Sequence, residues 1–363
     1  MFEKIIALFM AIAAFFGGIG ESIGIPQPLF YDIKGIESAG SSVEVVSDEI
    51  DAVTIKKADS GDFKVIMFTD IHLDGKNKTS ETTVDNIVKN VQREKPDLVI
   101  FGGDTITSVL NRKRANQLCE IFEQLGVYWA GVLGNHEGSG PLAVSRKKNV
   151  EIFASYEHCL MREGLDDVWG DGNYCINILN ADGSLKKTFY FMDSGSRASE
   201  EDIKKYVTAT DGRSDYDGVK DTQVAWYSAK VKENAGKYGE SKSVLVMHIP
   251  IYQMREAAET AEFLYGEKLE GICASYFDSG LFDAIKAGGS TDYVFFGHDH
   301  VNTFAVNVDG ITLSYIEPSG YGSYTTFSKF GYEEKDWLQG YTKLMIKEDG
   351  SFSHTQMRNS ASM

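Results

Sequence analysis

The chain has 363 residues, of which 42% are hydrophobic and 12% aromatic, so it can bury a large core and is not a disordered protein. Its 53 acidic residues outnumber its 36 basic ones and give a formal charge of −17, which argues against sequence-independent binding to nucleic acid. A small phosphorylated substrate is not excluded, because bound cations can reverse the sign of the local field.

Residues 5–16 form an apolar run that follows a single lysine and a single glutamate. A run of this length is typical of the hydrophobic part of a signal peptide and is short for a membrane span. It predicts that residues 1–25 are a signal peptide or an N-terminal membrane anchor, and that the protein is exported and then secreted or membrane-anchored. The alternative is a buried amphipathic helix in a cytoplasmic protein.

The segment from residue 63 to residue 137 has a regular alternation of strands and helices. The stretches FKVIMFTDIHL, DLVIFGGD and VYWAGVLGNHE are apolar runs typical of strands buried on both faces. Between them, TVDNIVKNVQREK and ANQLCEIFEQLG place apolar residues at helical spacing. This β-α-β-α-β order predicts parallel strands with right-handed crossovers, and therefore an α/β fold.

The second half of the chain has a different pattern. NYCINIL and KTFYFMDSG flank an Asp-Gly turn and predict a hairpin, as do TFAVNVDGITLSYIEP and YTKLMIKEDGSFSHTQM. KSVLVMHIP and DYVFFGHDHVN read as two further buried strands. We predict a lead-in segment at residues 26–60 with one or two strands, a catalytic domain at 61–346 and a C-terminal strand and tail at 347–363.

The four cysteines show no C-x-x-C spacing, which argues against a zinc site built from thiolates. Their apolar surroundings favour small core side chains, although the sequence leaves disulfide pairing open.

Polar side chains of one chemical type follow five of the predicted strands. Five of the 7 histidines in the chain fall at these strand ends. Ligands of open α/β sheets bind beyond the carboxyl ends of the strands, so these side chains are expected to form one site. Each one alone has an ordinary alternative as a turn, cap or core residue. The motifs are TDIH (Asp70, His72), GGDT (Asp104), GNHE (Asn135, His136, Glu137), MHIP (His248) and GHDH (His298, His300).

Imidazole, carboxylate and amide oxygen are the ligands that suit zinc, iron and manganese ions in sites without thiolate. Two residues of TDIH, Asp70 and His72, are two positions apart, so on an extended strand they would point the same way. Four histidines, two aspartates and one asparagine are too many ligands for one tetrahedral ion. They suit a pair of ions that share one carboxylate and a hydroxide.

The ordered set D-x-H, G-G-D, G-N-H-E, H and G-H-x-H resembles the calcineurin-like metallophosphoesterase superfamily. Within it, the HIP, FMDSG and DTQVAWYSAKV stretches are similar to the branch related to purple acid phosphatases. The coloured enzymes of that branch have a tyrosine ligand three residues after the second aspartate, and Thr107 occupies that position here. The resemblance implies two packed mixed β-sheets flanked by helices in a four-layer sandwich.

Carried over by position, the resemblance also assigns roles. One metal ion would be held by Asp70, His72 and His300, the other by Asn135, His248 and His298, and Asp104 would bridge both. His136 would lie near the scissile phosphate and stabilise or protonate the leaving oxygen. Glu137 would orient His136. Asp299 receives no role.

The function implied by the resemblance is a binuclear-metal-dependent phosphoric ester hydrolase, in which a metal-bridged hydroxide attacks phosphorus. A phosphomonoesterase is favoured; a phosphodiesterase or nucleotide hydrolase is the alternative, and a non-catalytic metal-binding scaffold is a third hypothesis. The ions would be iron, zinc or manganese, and their identities, the substrate and the oligomeric state stay open. Candidate substrate contacts on the loop side are Arg112, Arg146, Tyr252 and Arg255, although basic runs are commonly solvated helix surfaces.

Overall fold

A computed structural model of the chain describes residues 31–74, 78–108, 111–139, 143–207, 216–322 and 339–359. The apolar runs of the first half form three parallel strands, β3 (Phe63–Phe68), β4 (Leu98–Phe101) and β5 (Trp129–Gly131). The C-terminal hairpin of β13 (Gly340–Ile346) and β14 (Phe352–Arg358) adds to β3 in antiparallel fashion. Together they make a five-stranded mixed sheet in the order β14-β13-β3-β4-β5.

The other strands form a nine-stranded mixed sheet in the order β1-β2-β6-β7-β8-β10-β12-β11-β9. Strands β7, β8, β10 and β12 run parallel at its centre, and antiparallel pairs lie at both ends. The strands are β1 (Val43–Glu49), β2 (Ala52–Lys57), β6 (Tyr174–Leu179), β7 (Leu185–Phe191), β8 (Ser243–Val246), β9 (Phe263–Tyr265), β10 (Thr291–Phe296), β11 (Ala305–Val308) and β12 (Ile311–Tyr315).

Seven α-helices lie in the described part of the chain, besides a short 3-10 helix at Ile33–Gly35. They are α1 (Lys78–Glu94), α2 (Asn111–Leu125), α3 (Arg146–Ala154), α4 (Glu200–Tyr206), α5 (Asp221–Tyr238), α6 (Tyr252–Thr260) and α7 (Leu281–Gly288). Among these described helices, none is both long enough and apolar enough to cross a membrane.

Alternating side chains of the nine-stranded sheet enter two different cores. On β8, Val244 and Val246 pack into the core that also contains β3 and β4, whereas Leu245 points to the opposite face. That opposite face is covered by α5 and α7, through Trp226 and Ile285 among others. Since the central strands are buried on both sides, the continuous apolar runs in the sequence are accounted for.

The α/β fold with two mixed sheets flanked by helices is therefore confirmed, as are the parallel first half and the three predicted hairpins. Residues 26–60, predicted as a lead-in, contribute the antiparallel pair β1 and β2 to one end of the nine-stranded sheet. The cysteines in the structure are free, three of them buried and Cys273 partly exposed. The predicted signal peptide or anchor at residues 1–25 lies outside the described residues.

Candidate metal centre

The five predicted strand ends meet at one place between the two sheets. β3, β4 and β5 of the five-stranded sheet lead to Asp70, Asp104 and Asn135, and β8 and β10 of the nine-stranded sheet lead to His248 and His298. The sheets are joined at this point by hydrogen bonds, since the Thr69 carbonyl accepts from the Ser319 N–H at 3.0 Å and the His298 N–H donates to Asp70 Oδ2 at 3.0 Å. The site therefore depends on both sheets.

The backbone at the site is held in an unusual conformation. Among the described residues, six non-glycine residues have positive φ, and four of them are site residues: Asp70 (54°), His72 (47°), Asp104 (47°) and His298 (79°). Left-handed backbone costs about 1–2 kcal/mol per non-glycine residue, so the surrounding fold must enforce it. The extended-strand explanation for Asp70 and His72 was wrong: both face the site because the chain turns sharply after β3.

One group of candidate ligands lies on the β3 side of the centre. The ligand atoms of Asp70, His72, Asp104 and His300 all lie within 4.8 Å of one another. The Nε2 atoms of His72 and His300 are 3.1 Å apart, and His300 Nε2 is 3.5 Å from Asp70 Oδ1. We call this group the aspartate pocket.

A second group shares Asp104 with the first. The ligand atoms of Asp104, His248 and His298 also lie within 4.8 Å of one another, and Asn135 Oδ1 is 3.2 Å from His248 Nε2. His248 Nδ1 donates to the Gly102 carbonyl at 2.8 Å, which leaves its Nε2 directed at the site. We call Asp104, Asn135, His248 and His298 the asparagine pocket. The structure thus brings the seven candidate ligands together in two groups, and their assignment to two metal ions stays a prediction.

The buried carboxylates and His248 polarise one another. Burial would raise the pKa of Asp104, but His248, whose Nε2 lies 3.3 Å from Asp104 Oδ2, holds it well below its usual range. Burial likewise opposes the charge on His248, yet Asp104 raises the pKa of this imidazole to about 9. Asp70 has its pKa raised to about 7, chiefly by burial. Negative charge is therefore concentrated on Asp104, the residue common to both pockets.

The other three candidate imidazoles stay neutral at physiological pH. Burial lowers the pKa of His72 to about 4, that of His300 to about 3, and that of His298 well below its usual value. Within the described part of the chain, Nε2 of His298 is buried and has no hydrogen-bond partner. A buried ring nitrogen without a partner is costly unless a ligand binds it, so this donor set fits a metal ion.

His136 differs from the candidate ligands in its exposure. Its side chain is 47% exposed, and Nε2 lies 3.9 Å from Asp104 Oδ2 at the mouth of the centre. Its backbone N–H donates to Asp104 Oδ1 at 2.8 Å, which fixes the loop on the carboxylate common to both pockets. Gly134 leaves the space for this contact, because a Cβ there would collide with Asp104. His136 is thus accessible to a substrate.

Glu137 does not contact the His136 ring, and the prediction that it orients that ring was wrong. Its buried carboxylate accepts from the backbone N–H groups of Gly134 at 2.8 Å, Ile106 at 3.0 Å and Thr105. The side chain points away from His136 into the turn after β4, so it ties two ligand-bearing loops together by their backbones. Burial raises the pKa of this carboxyl.

Asp299, to which no role was assigned, is 2% exposed and turns away from both pockets. It accepts from the Tyr315 hydroxyl and from the Cys273 N–H, the latter at 3.1 Å. The aspartate between the two histidines therefore anchors the loop of residues 269–275 to the strand end.

The four predicted substrate contacts fare differently. Arg146 is turned inward: its guanidinium donates to the Gly134 and Glu137 carbonyls and to Asp193, so it braces the loop and was wrongly placed at the substrate. Arg255 stacks on Tyr276 at 4.2 Å, and Tyr252 lies 6.2 Å from the same ring. Arg112 is exposed on the first turn of α2, and no described contact links it to the ligands.

Two groups of residues that hold the candidate ligands in place were not predicted from the sequence. Thr69 donates from its hydroxyl to Asp70 Oδ2 at 2.8 Å. Asp193, Ser194 and Ser196 lie in the FMDSGS stretch, where Ser196 Oγ donates to the Asn135 carbonyl at 2.8 Å and Ser194 Oγ accepts from Ile249 at 2.9 Å. The polar DSGS sequence directly after the buried strand β7 was a signal of the same kind as the other five.

Comparisons with known proteins agree with this geometry. The calcineurin-like phosphoesterase family matches residues 63–302. Two Arabidopsis thaliana proteins named probable inactive purple acid phosphatase 28 and 14 are 25% and 27% identical, over 73% of this chain and 72% of their own lengths. Phosphatase DCR2 of Saccharomyces cerevisiae is 26% identical over 71% of this chain and 47% of its own length.

Among solved structures, that of GAP50, described as the anchor in the inner membrane complex of Plasmodium, covers 84% of this chain and 94% of its own at 12% identity, with a TM-score of 0.46. The family match spans more than half of the chain and all five ligand-bearing strand ends. The protein therefore belongs to the calcineurin-like phosphoesterase family.

Proposed function

We propose that this protein is a phosphoric ester hydrolase that uses two metal ions and favours phosphate monoesters. The observation that carries the proposal is the pair of pockets joined by the buried carboxylate of Asp104, with the half-exposed His136 beside them. Asp70, His72 and His300 would hold one ion, Asn135, His248 and His298 the other, and Asp104 both. Iron, zinc and manganese suit these ligands.

Two cations in these positions would supply a hydroxide nucleophile near neutral pH and offset the charge on the phosphoryl oxygens. The chain itself contributes the leaving-group chemistry. His136 carries an exposed imidazole whose backbone is fixed on Asp104. A proton given by this ring to the departing oxygen would accelerate hydrolysis by about 10²–10⁴-fold.

The substrate in this proposal is small. The formal charge of −17 repels long polyanions, so we do not expect the protein to bind nucleic acid as a scaffold. Monoesters are favoured over diesters because the two Arabidopsis relatives, which match 73% of this chain, carry a purple acid phosphatase name. Hydrolysis of diesters or nucleotides at the same centre is the second candidate.

The same names raise a non-catalytic alternative, since those relatives are called probable inactive, whereas the yeast relative is called a phosphatase. Loss of activity in a metallohydrolase usually accompanies loss of ligands. Here all seven ligand positions carry metal-binding side chains, and His136 is present. That completeness supports an active enzyme.

The test is metal analysis of the purified chain, with parallel assays on a phosphate monoester and the corresponding diester. We expect about two ions per chain and faster hydrolysis of the monoester. Fewer than one ion and no hydrolysis of either ester would overturn the proposal. Bound metal without hydrolysis would favour the scaffold, and faster diester hydrolysis would favour the second candidate.

Export belongs to the same proposal. The apolar run at residues 5–16 would direct the chain out of the cytoplasm as a signal peptide or keep it at the membrane as an anchor. Fractionation of cells that express the full chain, followed by N-terminal sequencing, separates the two. Recovery of the uncleaved chain in the cytoplasm alone would contradict both.

A further inference from the structure

The loop of residues 134–137, which carries Asn135 and His136, is held at both ends by one side chain. The Arg146 guanidinium donates through Nη1 to the Gly134 carbonyl and, at 3.3 Å, to the Glu137 carbonyl. Through Nη2 it donates to Asp193 Oδ1. Only 18% of the Arg146 side chain and 1% of the Asp193 side chain are exposed. The fork of donors thus clamps both ends of the loop to Asp193.

Asp193 is fixed independently of Arg146. Its carboxylate accepts from the N–H of Gly195 at 2.8 Å and of Asp171 at 2.9 Å, and its own N–H donates to Asn173 Oδ1 at 3.1 Å. Three residues later, Ser196 Oγ donates to the Asn135 carbonyl at 2.8 Å. The segment of residues 193–196 is therefore a rigid support for the Asn135 loop.

From this arrangement we infer that Arg146 and Asp193 are positioning residues, which set the place of Asn135 in the asparagine pocket and of His136 at the leaving oxygen. The inference rests on the proposed function. Neither residue would touch substrate or metal. Arginine suits this task, because a planar fork reaches two carbonyls and a carboxylate at once, whereas an ammonium group offers no such fixed geometry.

The decisive variant is Arg146→Lys, which keeps the charge and removes the fork. Arg162→Lys is a matched control: Arg162 is 16% exposed and also bonds one aspartate, Asp48, and two backbone carbonyls, those of Cys159 and Met161. None of these partners is a candidate ligand. Asp193→Asn is the second variant, since it keeps a polar group of the same shape and loses the charge.

Three quantities are measured in each variant. They are the number of ions bound at limiting metal, the dependence of kcat on the leaving-group pKa in a series of phosphate monoesters, and hydrogen exchange in the peptide around residues 134–137. For Arg146→Lys we expect about 10–100-fold weaker binding of one ion, a steeper leaving-group dependence and faster exchange. Asp193→Asn should change all three in the same direction, and Arg162→Lys none.

If Arg146 has a purely structural role, Arg146→Lys should have a lower melting temperature, while the leaving-group dependence of kcat and the binding of the second ion stay unchanged. That result would overturn the inference. Unchanged exchange in the loop would overturn it as well. If the wild-type chain binds no metal and hydrolyses nothing, the proposed function fails. Exchange that rises in Arg146→Lys and not in Arg162→Lys would then still support the clamp on the loop.

Discussion

The aspartate pocket and the asparagine pocket share Asp104 but differ in charge and in support. Asp70 gives the first pocket a second carboxylate, whereas Asn135 gives the other only a neutral amide. Both pockets include residues with left-handed backbone, but only the asparagine pocket has a ligand position, Asn135, on the loop clamped by Arg146. The difference teaches that a cation would be held less tightly in the asparagine pocket, because fewer anionic ligands face it.

Removal of the shared carboxylate should have the largest effect. Asp104→Asn keeps the shape of the side chain and takes the common negative charge from both pockets. We expect loss of both ions and a fall in kcat/KM of about 10³-fold or more, since metal ions supply several kcal/mol of transition-state stabilisation. Metal analysis and steady-state kinetics measure this.

Asp97→Asn is the control for Asp104→Asn. Asp97 is a buried aspartate at the opposite end of β4, and it accepts from the Lys64 N–H at 2.7 Å. This variant should lose stability and keep its metal. Two ions retained in Asp104→Asn would contradict the shared-ligand assignment.

His136→Ala tests the residue that belongs to neither pocket. We expect kcat to fall by about 10²–10⁴-fold while both ions stay bound, because the exposed ring contributes a proton and no metal bond. His158→Ala is the control: His158 bonds Glu123 at 2.8 Å, away from the candidate ligands, and its loss should leave kcat unchanged. Metal loss in His136→Ala would show that the role assigned to it is wrong.

The charge difference between the pockets can be erased. Asn135→Asp would give the asparagine pocket its own second carboxylate. The ion in this pocket is expected to be the first that a chelator removes, and in the variant its removal should need roughly tenfold more chelator. In the wild type we expect two phases of metal release, and in the variant the phases should approach each other. Metal content at increasing chelator concentration measures both. A single phase in the wild type would mean that the two pockets do not differ in affinity.

The smallest effect is expected at Glu317, a buried carboxylate outside the pockets whose pKa is shifted in the direction opposite to that of Asp104. Glu317 is fully buried, and in the described part of the chain it forms an ion pair with Arg358 at 3.4 Å; burial raises its pKa to about 8. The folded state therefore holds an extra proton between about pH 4.5 and pH 8, and its contribution to the free energy of unfolding falls as pH rises through that window. Asp104 shows the opposite shift because imidazoles face it.

Glu317→Gln should accordingly raise the melting temperature at pH 8.5 and change it little at pH 5, since the amide has no charge to bury. Thermal unfolding of both proteins across this range measures the difference. A variant that is less stable than the wild type at pH 8.5 would show that the ion pair with Arg358 outweighs the cost of burial.

Much of the site was predictable because its signals are local. Buried parallel strands have continuous apolar sequences, and the residues that follow such a run lie at the sheet edge where ligands bind. Asp70, Asp104, Asn135, His248 and His298 all follow this rule. The roles of Arg146 and Glu137 were predicted wrongly. A basic run has the same sequence pattern whether it contacts substrate or backbone, and so does a carboxylate next to a histidine.

The sequence by itself determined most of the strands, although not β9, and it determined the parallel first half, the family resemblance and the identity of the seven candidate ligands. Only the tertiary structure decided that His72 meets His300 across 3.1 Å, that positive φ aims Asp70 and His72, and that Asp193 supports Arg146. The contact between His72 and His300 and the contact between Asp193 and Arg146 join residues that lie far apart in the sequence. Their geometry depends on how two sheets pack, which is set by the sum of the core contacts and is not written in any short segment.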